Sequence, residues 1–210
     1  MPTESEWTAA LEARHGRVLQ QRFSRAVVAV CGLGGLGSNI AVALARAGVG
    51  QLILIDFDRV ELSNLHRQQY KAGQTGLLKT EALAQNLREI APFTGIRTVS
   101  EKLTAENFAA LLEDADVVCE ALDDPEAKAM LANGVLERLP RCYLVAASGM
   151  AGLATPNTIR TRRIMKRFYL CGDGESDVAD GIGLVAPRVM LCAAHQAHTV
   201  LRILAGEYEV

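Results

Sequence analysis

The sequence predicts an α/β protein of Rossmann-like type: a mainly parallel sheet with helices on both faces and antiparallel strands at its C-terminal edge. Three observations carry this. Short apolar runs alternate with helical patterns almost to the end of the chain, as in a sheet covered on both sides. The first runs are continuously apolar, the mark of strands buried on both faces. The first of them closes on VCGLGGLGSN, Val30–Asn39, a glycine turn placed between a strand and a helix.

Taken in order, residues 4–21 read as a helix with Trp7, Leu11 and Val18 on one face. AVVAVCG, from Ala26, is the first strand, and SNIAVALARAG, from Ser38, is a helix with Gly48 near its end. QLILID, Gln51–Asp56, is the second strand. KTEALAQNLREI is a helix stopped by Ala91-Pro92. IRTVS reads as the third strand and ADVVCEAL, Ala115–Leu122, as the fourth. Pro125 suits the first turn of a helix running to Leu139. CYLVAAS is a fifth strand and NTIRTR, after Pro156, a sixth. Residues 187–206 form a closing helix, with Met190, Ala194, Ala197, Leu201 and Leu204 on one apolar face. The acidic, glycine-rich GDGESDVADGIG, Gly172–Gly183, reads as a surface loop.

A chain of 210 residues, 50% hydrophobic and 22% charged, suits one soluble domain spanning 1–210. Its net charge of -2 gives no general attraction to nucleic acid or an anionic membrane. No apolar run approaches the roughly 18–20 residues that span a bilayer. The start, MPTESEWTAALEARHGR, is polar and acidic, unlike a secretory signal. The expected location is the cytoplasm. The five cysteines are widely spread and no C-x2-C pair occurs, so reduced thiols and no structural zinc are expected. Cys31, Cys119 and Cys142 lie in or beside apolar segments, where thiols are buried.

In doubly wound sheets, ligands lie at the carboxyl ends of strands, and the polar motifs fall there. Gly32, Gly34 and Gly37 permit a tight turn and close approach of phosphate to a helix amino terminus. Asp56 ends the next strand, 19 residues after Gly37, where a carboxylate accepts from ribose hydroxyls. These features fit NAD or ATP alike. RVELSNLHRQQY, Arg59–Tyr70, then brings Asn64, Arg67 and Gln68, and Lys79 follows twelve residues after Arg67. Two cations and an amide suit the larger charge of a triphosphate. ALDDPEAK ends the fourth strand with Asp123 and Asp124. We read Asp123 as a magnesium residue and Asp124 as the cap of the next helix.

GLGGLGSN, LILIDFDRVELSNLHRQ, Lys79 and the aspartate after the fourth strand together resemble the ThiF/MoeB/HesA adenylyltransferases, bacterial relatives of ubiquitin-activating enzymes. The likeness runs from about Arg14 to Gly206. SGMAG and APRVMLCAAHQAH are similar to the short ThiF-type proteins of thiamine biosynthesis. The resemblance implies that ATP and Mg2+ adenylate the C-terminal glycine of a small ubiquitin-like sulfur carrier ending in Gly-Gly. Gly35 and its neighbours, with Asp58, Ser63 and Asp124, would line ATP. Asp56 would hold the ribose, Asn64, Arg67 and Lys79 the phosphates, and Asp123 the metal. It also implies a homodimer in which Arg14 or Arg17 reaches the partner's ATP.

The chain departs from the family pattern at its cysteines. Only Cys171 sits near one zinc-binding pair, and no cysteine stands near Ala179, where thiamine-type relatives often link to the carrier. Cys171, beside the acidic loop, is expected to be exposed and is the candidate replacement thiol. Acidic neighbours argue against high reactivity there. Cys192, His195 and His198 are spaced for one helix edge but read better as packing residues than as a metal site. The rival readings are the same chemistry on another carrier (molybdopterin or cysteine type), dehydration of a tRNA threonylcarbamoyl-adenosine, an NAD-dependent oxidoreductase, and a binding module without turnover. The near-neutral charge disfavours tRNA.

Overall fold

The computed structural model describes residues 1–210. Seven strands form one sheet in the order β3-β2-β1-β4-β5-β7-β6. They are β1 (Val27–Cys31), β2 (Gln51–Ile55), β3 (Gly95–Val99), β4 (Val117–Glu120), β5 (Tyr143–Ala147), β6 (Arg160–Met165) and β7 (Phe168–Gly172). All neighbours are parallel except the β6–β7 pair at the C-terminal edge. The fold is therefore the Rossmann-like one expected. The chain winds outward from β1 to β3 and then returns to place β4 on the other side of β1. The order reverses between β1 and β4, which is where such sheets bind ligands.

Alternation along each strand divides two cores. Val28, Val30, Leu52, Leu54, Val117, Cys119, Val145 and Ala147 face one side, against α3 (Gly35–Arg46), α4 (Lys79–Ile90) and α7 (Ala186–Ala205). Ala29, Cys31, Ile53, Ile55, Val118 and Leu144 face the other, against α5 (Phe108–Leu112) and α6 (Pro125–Arg138). Burial of both faces is why these strands carry unbroken apolar runs.

Four expectations need correction. The helix at 4–21 is two helices, α1 (Glu4–His15) and α2 (Arg17–Arg25), broken at Gly16 with φ of 82°. The break turns Val18 out to solvent while Trp7 packs on the core. The sixth strand lies later than NTIRTR, and β7 was not foreseen. The buried face of α7 is Val189, Cys192, Ala193, Gln196, Ala197, Val200 and Ile203, with Met190 and Ala194 exposed. This helix packs on both α3 and the sheet, so its contact stripe turns away from the apolar row read in sequence. Cys171 is fully buried, because it belongs to β7 and faces α7 instead of entering the acidic loop.

Candidate nucleotide site

The glycine loop sets the floor of the site. Gly32 has φ of 90°, and a Cβ there would stand 2.5 Å from the Ala121 carbonyl oxygen. A Cβ on Gly37 would overlap the Gly32 carbonyl. Glycine is thus required at both positions for the loop to fold under α3. Gly34 is the N-cap of α3 and offers no side chain to it. The first-turn N–H groups, which have no intrahelical acceptor, are left for a ligand anion.

Asp56 follows β2 and is 8% exposed. Its Oδ2 accepts from the Leu33 N–H at 2.6 Å and its Oδ1 from the Asp58 N–H at 2.8 Å. The carboxylate is therefore fixed against the glycine loop, with lone pairs to spare for hydroxyl donors. Burial pushes its pKa up, and the nearby Lys79 ammonium opposes that. Lys79 opens α4 and is 6% exposed. Its Nζ lies 2.7 Å from Asp58 Oδ2 and 3.8 Å from Asp56 Oδ2.

The segment after β2 folds back over the loop. Arg67 Nη2 donates to Asn64 Oδ1 at 3.1 Å. A Cβ on Gly35 would lie 3.3 Å from Arg67 Cγ, so this side chain crosses the start of α3. Gln68 is buried, and a Cβ on Gly34 would lie 3.8 Å from its Nε2. Arg67 Nε and Gln68 Oε1 are buried without a partner in the protein. Orphaned groups of this kind cost roughly 1–3 kcal/mol each until something satisfies them, and a bound ligand would do so. Ser63 is exposed and bonded to Glu61.

Asp123 and Asp124 stand at the end of β4, across the switch point from Asp56. Asp124 Oδ1 accepts from Ala127 N at 2.8 Å and caps α6. Asp123 is exposed and makes no hydrogen bond within the protein. No cluster of three or more His, Cys, Asp or Glu side chains comes together to hold a metal. A single free carboxylate at the same sheet edge as the glycine loop has the chemistry to hold magnesium, which keeps several waters and takes its other oxygens from phosphates.

The remaining predicted residues lie elsewhere. Arg14 and Arg17 are exposed on helices that pack at the amino ends of the strands, near Gly48 and Phe93, and this chain does not bring them to its own site. Cys171 Sγ meets Thr161 Oγ1 at 3.5 Å, and burial pushes its pKa up. Cys192 is buried too, while His195 Nδ1 pairs with Thr161 Oγ1 at 3.0 Å.

Several residues that shape the site were missed. Ser38 Oγ accepts from Gln69 N at 3.1 Å, and Asn39 Nδ2 donates to the Gly35 and Arg67 carbonyls. Tyr70 OH donates to Leu33 O at 2.8 Å. These bonds dock the Arg67 segment on the glycine loop. Polar residues just inside a helix start, followed by a tyrosine after an Arg-Gln-Gln run, were the available signal.

Fold and site together define a Rossmann-like α/β protein whose glycine loop at the sheet's switch point is accompanied by two cations, Arg67 and Lys79. Residues 8–210 match the ThiF family, and the chain belongs to that family. It is 32% identical over 192 residues to the molybdopterin-synthase adenylyltransferase of Escherichia coli, covering 89% of this chain and 76% of that one. It is 29% identical over 194 residues to the sulfur carrier protein ThiS adenylyltransferase of Bacillus subtilis, covering 90% and 57%. It spans about half the length, or less, of most of the curated relatives it matches. The E. coli tRNA N6-threonylcarbamoyladenosine dehydratase in complex with ATP superposes with a TM-score of 0.86 at 24% identity, covering 99% of this chain and 98% of that one. That likeness is one of fold. No helix is long and apolar enough to cross a membrane.

Proposed function

We propose that this protein adenylates the C-terminal glycine carboxylate of a small ubiquitin-like sulfur carrier, in thiamine thiazole formation, using ATP and Mg2+. One observation carries the reading. Arg67 crosses the start of α3 at Gly35 while Lys79 sits beside Asp56, giving the site two cations that a dinucleotide does not require. The relatives' action on sulfur carriers supports the substrate class, and SGMAG with APRVMLCAAHQAH supports the thiamine type.

The chemistry needs no general base, because a carrier carboxylate is already ionised near neutral pH. Its oxygen attacks the α-phosphorus, the bond from that phosphorus to the bridging oxygen breaks, and pyrophosphate leaves with the electron pair. Asp56 holds the ribose. Arg67, Asn64 and Lys79 hold the phosphates and stabilise the departing charge, so catalysis is positioning plus electrostatics. Asp123 would hold Mg2+, whose contribution is to neutralise phosphate charge. In this reading the protein works in the cytoplasm, where its five thiols stay reduced. It does so as a homodimer in which Arg14 or Arg17 serves the partner's site.

The test is ATP–pyrophosphate exchange with candidate carriers ending in Gly-Gly, together with intact-mass analysis of the carrier. Carrier-dependent exchange that falls at least a hundredfold in Arg67→Ala is expected. No exchange with any carrier, alongside tight NADH binding, overturns the reading. Full exchange in Arg67→Ala removes that residue's role.

A further inference from the structure

Asp123 is the second residue before the helix that Pro125 opens, and only two residues, Ala121 and Leu122, separate it from the end of β4 at Glu120. An exposed carboxylate on so short a turn is aimed by the backbone around it. That backbone is held by an ion pair whose carboxylate is buried. Glu120 is 1% exposed, and its Oε1 accepts from Leu122 N at 2.8 Å. Lys128, in the first turns of α6, reaches back over the same residue. Its Nζ donates to Glu120 Oε1 at 2.9 Å, to Glu120 Oε2 at 2.8 Å and to Leu122 O at 3.1 Å. An ammonium has three N–H donors, and these contacts engage them all. Lys128 is thereby occupied inside the protein and is not offered to a phosphate.

The other side of the turn is equally fixed. Ala121 N donates to Cys31 O at 2.8 Å, and the Ala121 carbonyl packs on Gly32 of the glycine loop. Gln196 of α7 donates to Glu120 O at 3.0 Å. Asp124 caps α6, and Lys128 N donates to Asp124 O at 2.9 Å. The turn is thus tied to β1, α6 and α7, and Asp123 is the one polar side chain in it with no internal partner.

The geometry points to Glu120 and Lys128 as positioning residues that aim Asp123 at the nucleotide and keep its charge free. This rests on the adenylation reading above. The pair acts in two ways. It fixes Leu122 at both its N–H and its C=O, and so holds the two successive peptides that flank it. It also confines the only Lys or Arg between Pro125 and Glu137, which would otherwise be free to neutralise Asp123.

The test measures Mn2+ binding to the protein–ATP complex by electron paramagnetic resonance. It adds ATP binding without divalent metal, pyrophosphate-exchange kcat and KM, and a melting curve. Glu120→Gln and Glu120→Asp are expected to raise the Mn2+ concentration for half-saturation about tenfold. Metal-free ATP affinity stays within about twofold of the parent. Exchange loses kcat more than it gains KM for ATP. Lys128→Met moves in the same direction, and Lys128→Arg restores most of the loss. Glu120→Asp keeps the charge and loses one methylene, so it reports even where Glu120→Gln folds poorly. Folded Glu120 variants with parental Mn2+ titrations overturn the proposal. So do variants whose metal and metal-free ATP binding fall together with the melting midpoint. Asp123→Asn separates the two levels. A parental Asp123→Asn protein overturns the role of Asp123 itself, whereas a deficient one beside unaffected Glu120 variants overturns only the positioning.

Discussion

Lys79 Nζ sits 2.7 Å from Asp58 Oδ2 and 3.8 Å from Asp56 Oδ2, with Lys79 itself buried at the start of α4. A buried ammonium between two carboxylates is held in one place before any ligand arrives. Lys79→Met removes a cation from the proposed phosphate site and leaves Asp56 on backbone N–H groups alone. Exchange is expected to fall by about 10²–10³, the usual effect of losing one charge-stabilising donor. Asp58 is half exposed and recovers solvation, so stability falls by only about 1–2 kcal/mol, or roughly 2–8 °C in melting temperature. Pyrophosphate-exchange kinetics and a thermal melt on the same protein check both.

Gly37→Ala is the sharpest test of the loop. The added methyl would overlap the Gly32 carbonyl, and Gly32 is itself packed on Ala121. The conflict involves backbone on both sides, so no rotamer relieves it. We expect loss of nucleotide binding by at least a hundredfold and a destabilisation of about 1–3 kcal/mol, the cost of overpacking. Equilibrium dialysis with labelled ATP and urea unfolding measure the two effects.

How far the sequence could be read depends on which residues are asked about. β1 and β2 were legible because burial on both faces makes them continuously apolar. The glycine loop was legible because backbone crowding admits no other residue at Gly32 and Gly37. Asp124 was readable as a cap because it precedes Pro125. β7 was not, since Phe168–Gly172 follows the basic edge strand RTRRIM and runs straight into an acidic loop. The α1–α2 break hung on Gly16 alone, and a single glycine within a helical pattern is usually tolerated. Glu120 and Lys128 were overlooked although a carboxylate inside the apolar run ADVVCEAL asks for a partner. That partner lies eight residues on, and only the turn at Asp123 brings it back.

The buried cysteines give a chemical test of the same packing. Cys31, Cys119, Cys142, Cys171 and Cys192 are all free and buried. Burial pushes the thiols of Cys142 and Cys192 up to about 12, and raises that of Cys171 as well. The thiolate is the reactive form, so none should react with a disulfide reagent in minutes at pH 8. All five should react in denaturant. Fast native labelling of Cys171 would show that β7 opens in solution, and would return that thiol to consideration as a carrier link.

Asp173 and Arg188 provide a pH test. The Asp173 carboxylate lies 2.5 Å from Arg188 Nη2, and it also accepts from the Glu175 and Ser176 N–H groups and the Ser176 hydroxyl. Arg188 meanwhile donates to the Ala151, Ala154 and Thr155 carbonyls, so the pair joins the loops after β5 and β7 to α7. Burial alone would raise the Asp173 pKa, but the hydrogen bonds from Ser176, Glu175 and Arg188 outweigh it and hold the pKa at about 2. A carboxylate depressed in the folded state stabilises it above the unfolded pKa of about 3.9. That stabilisation disappears as pH falls through about 2. Urea unfolding of the parent and Asp173→Asn should therefore differ by about 2 kcal/mol at pH 5. The difference should shrink steadily below about pH 4, as Asp173 takes up its proton first in the unfolded parent, until about pH 2, where the folded carboxylate does so too. A gap unchanged between about pH 5 and pH 2.5 would mean that the Arg188 contact does not hold Asp173 ionised.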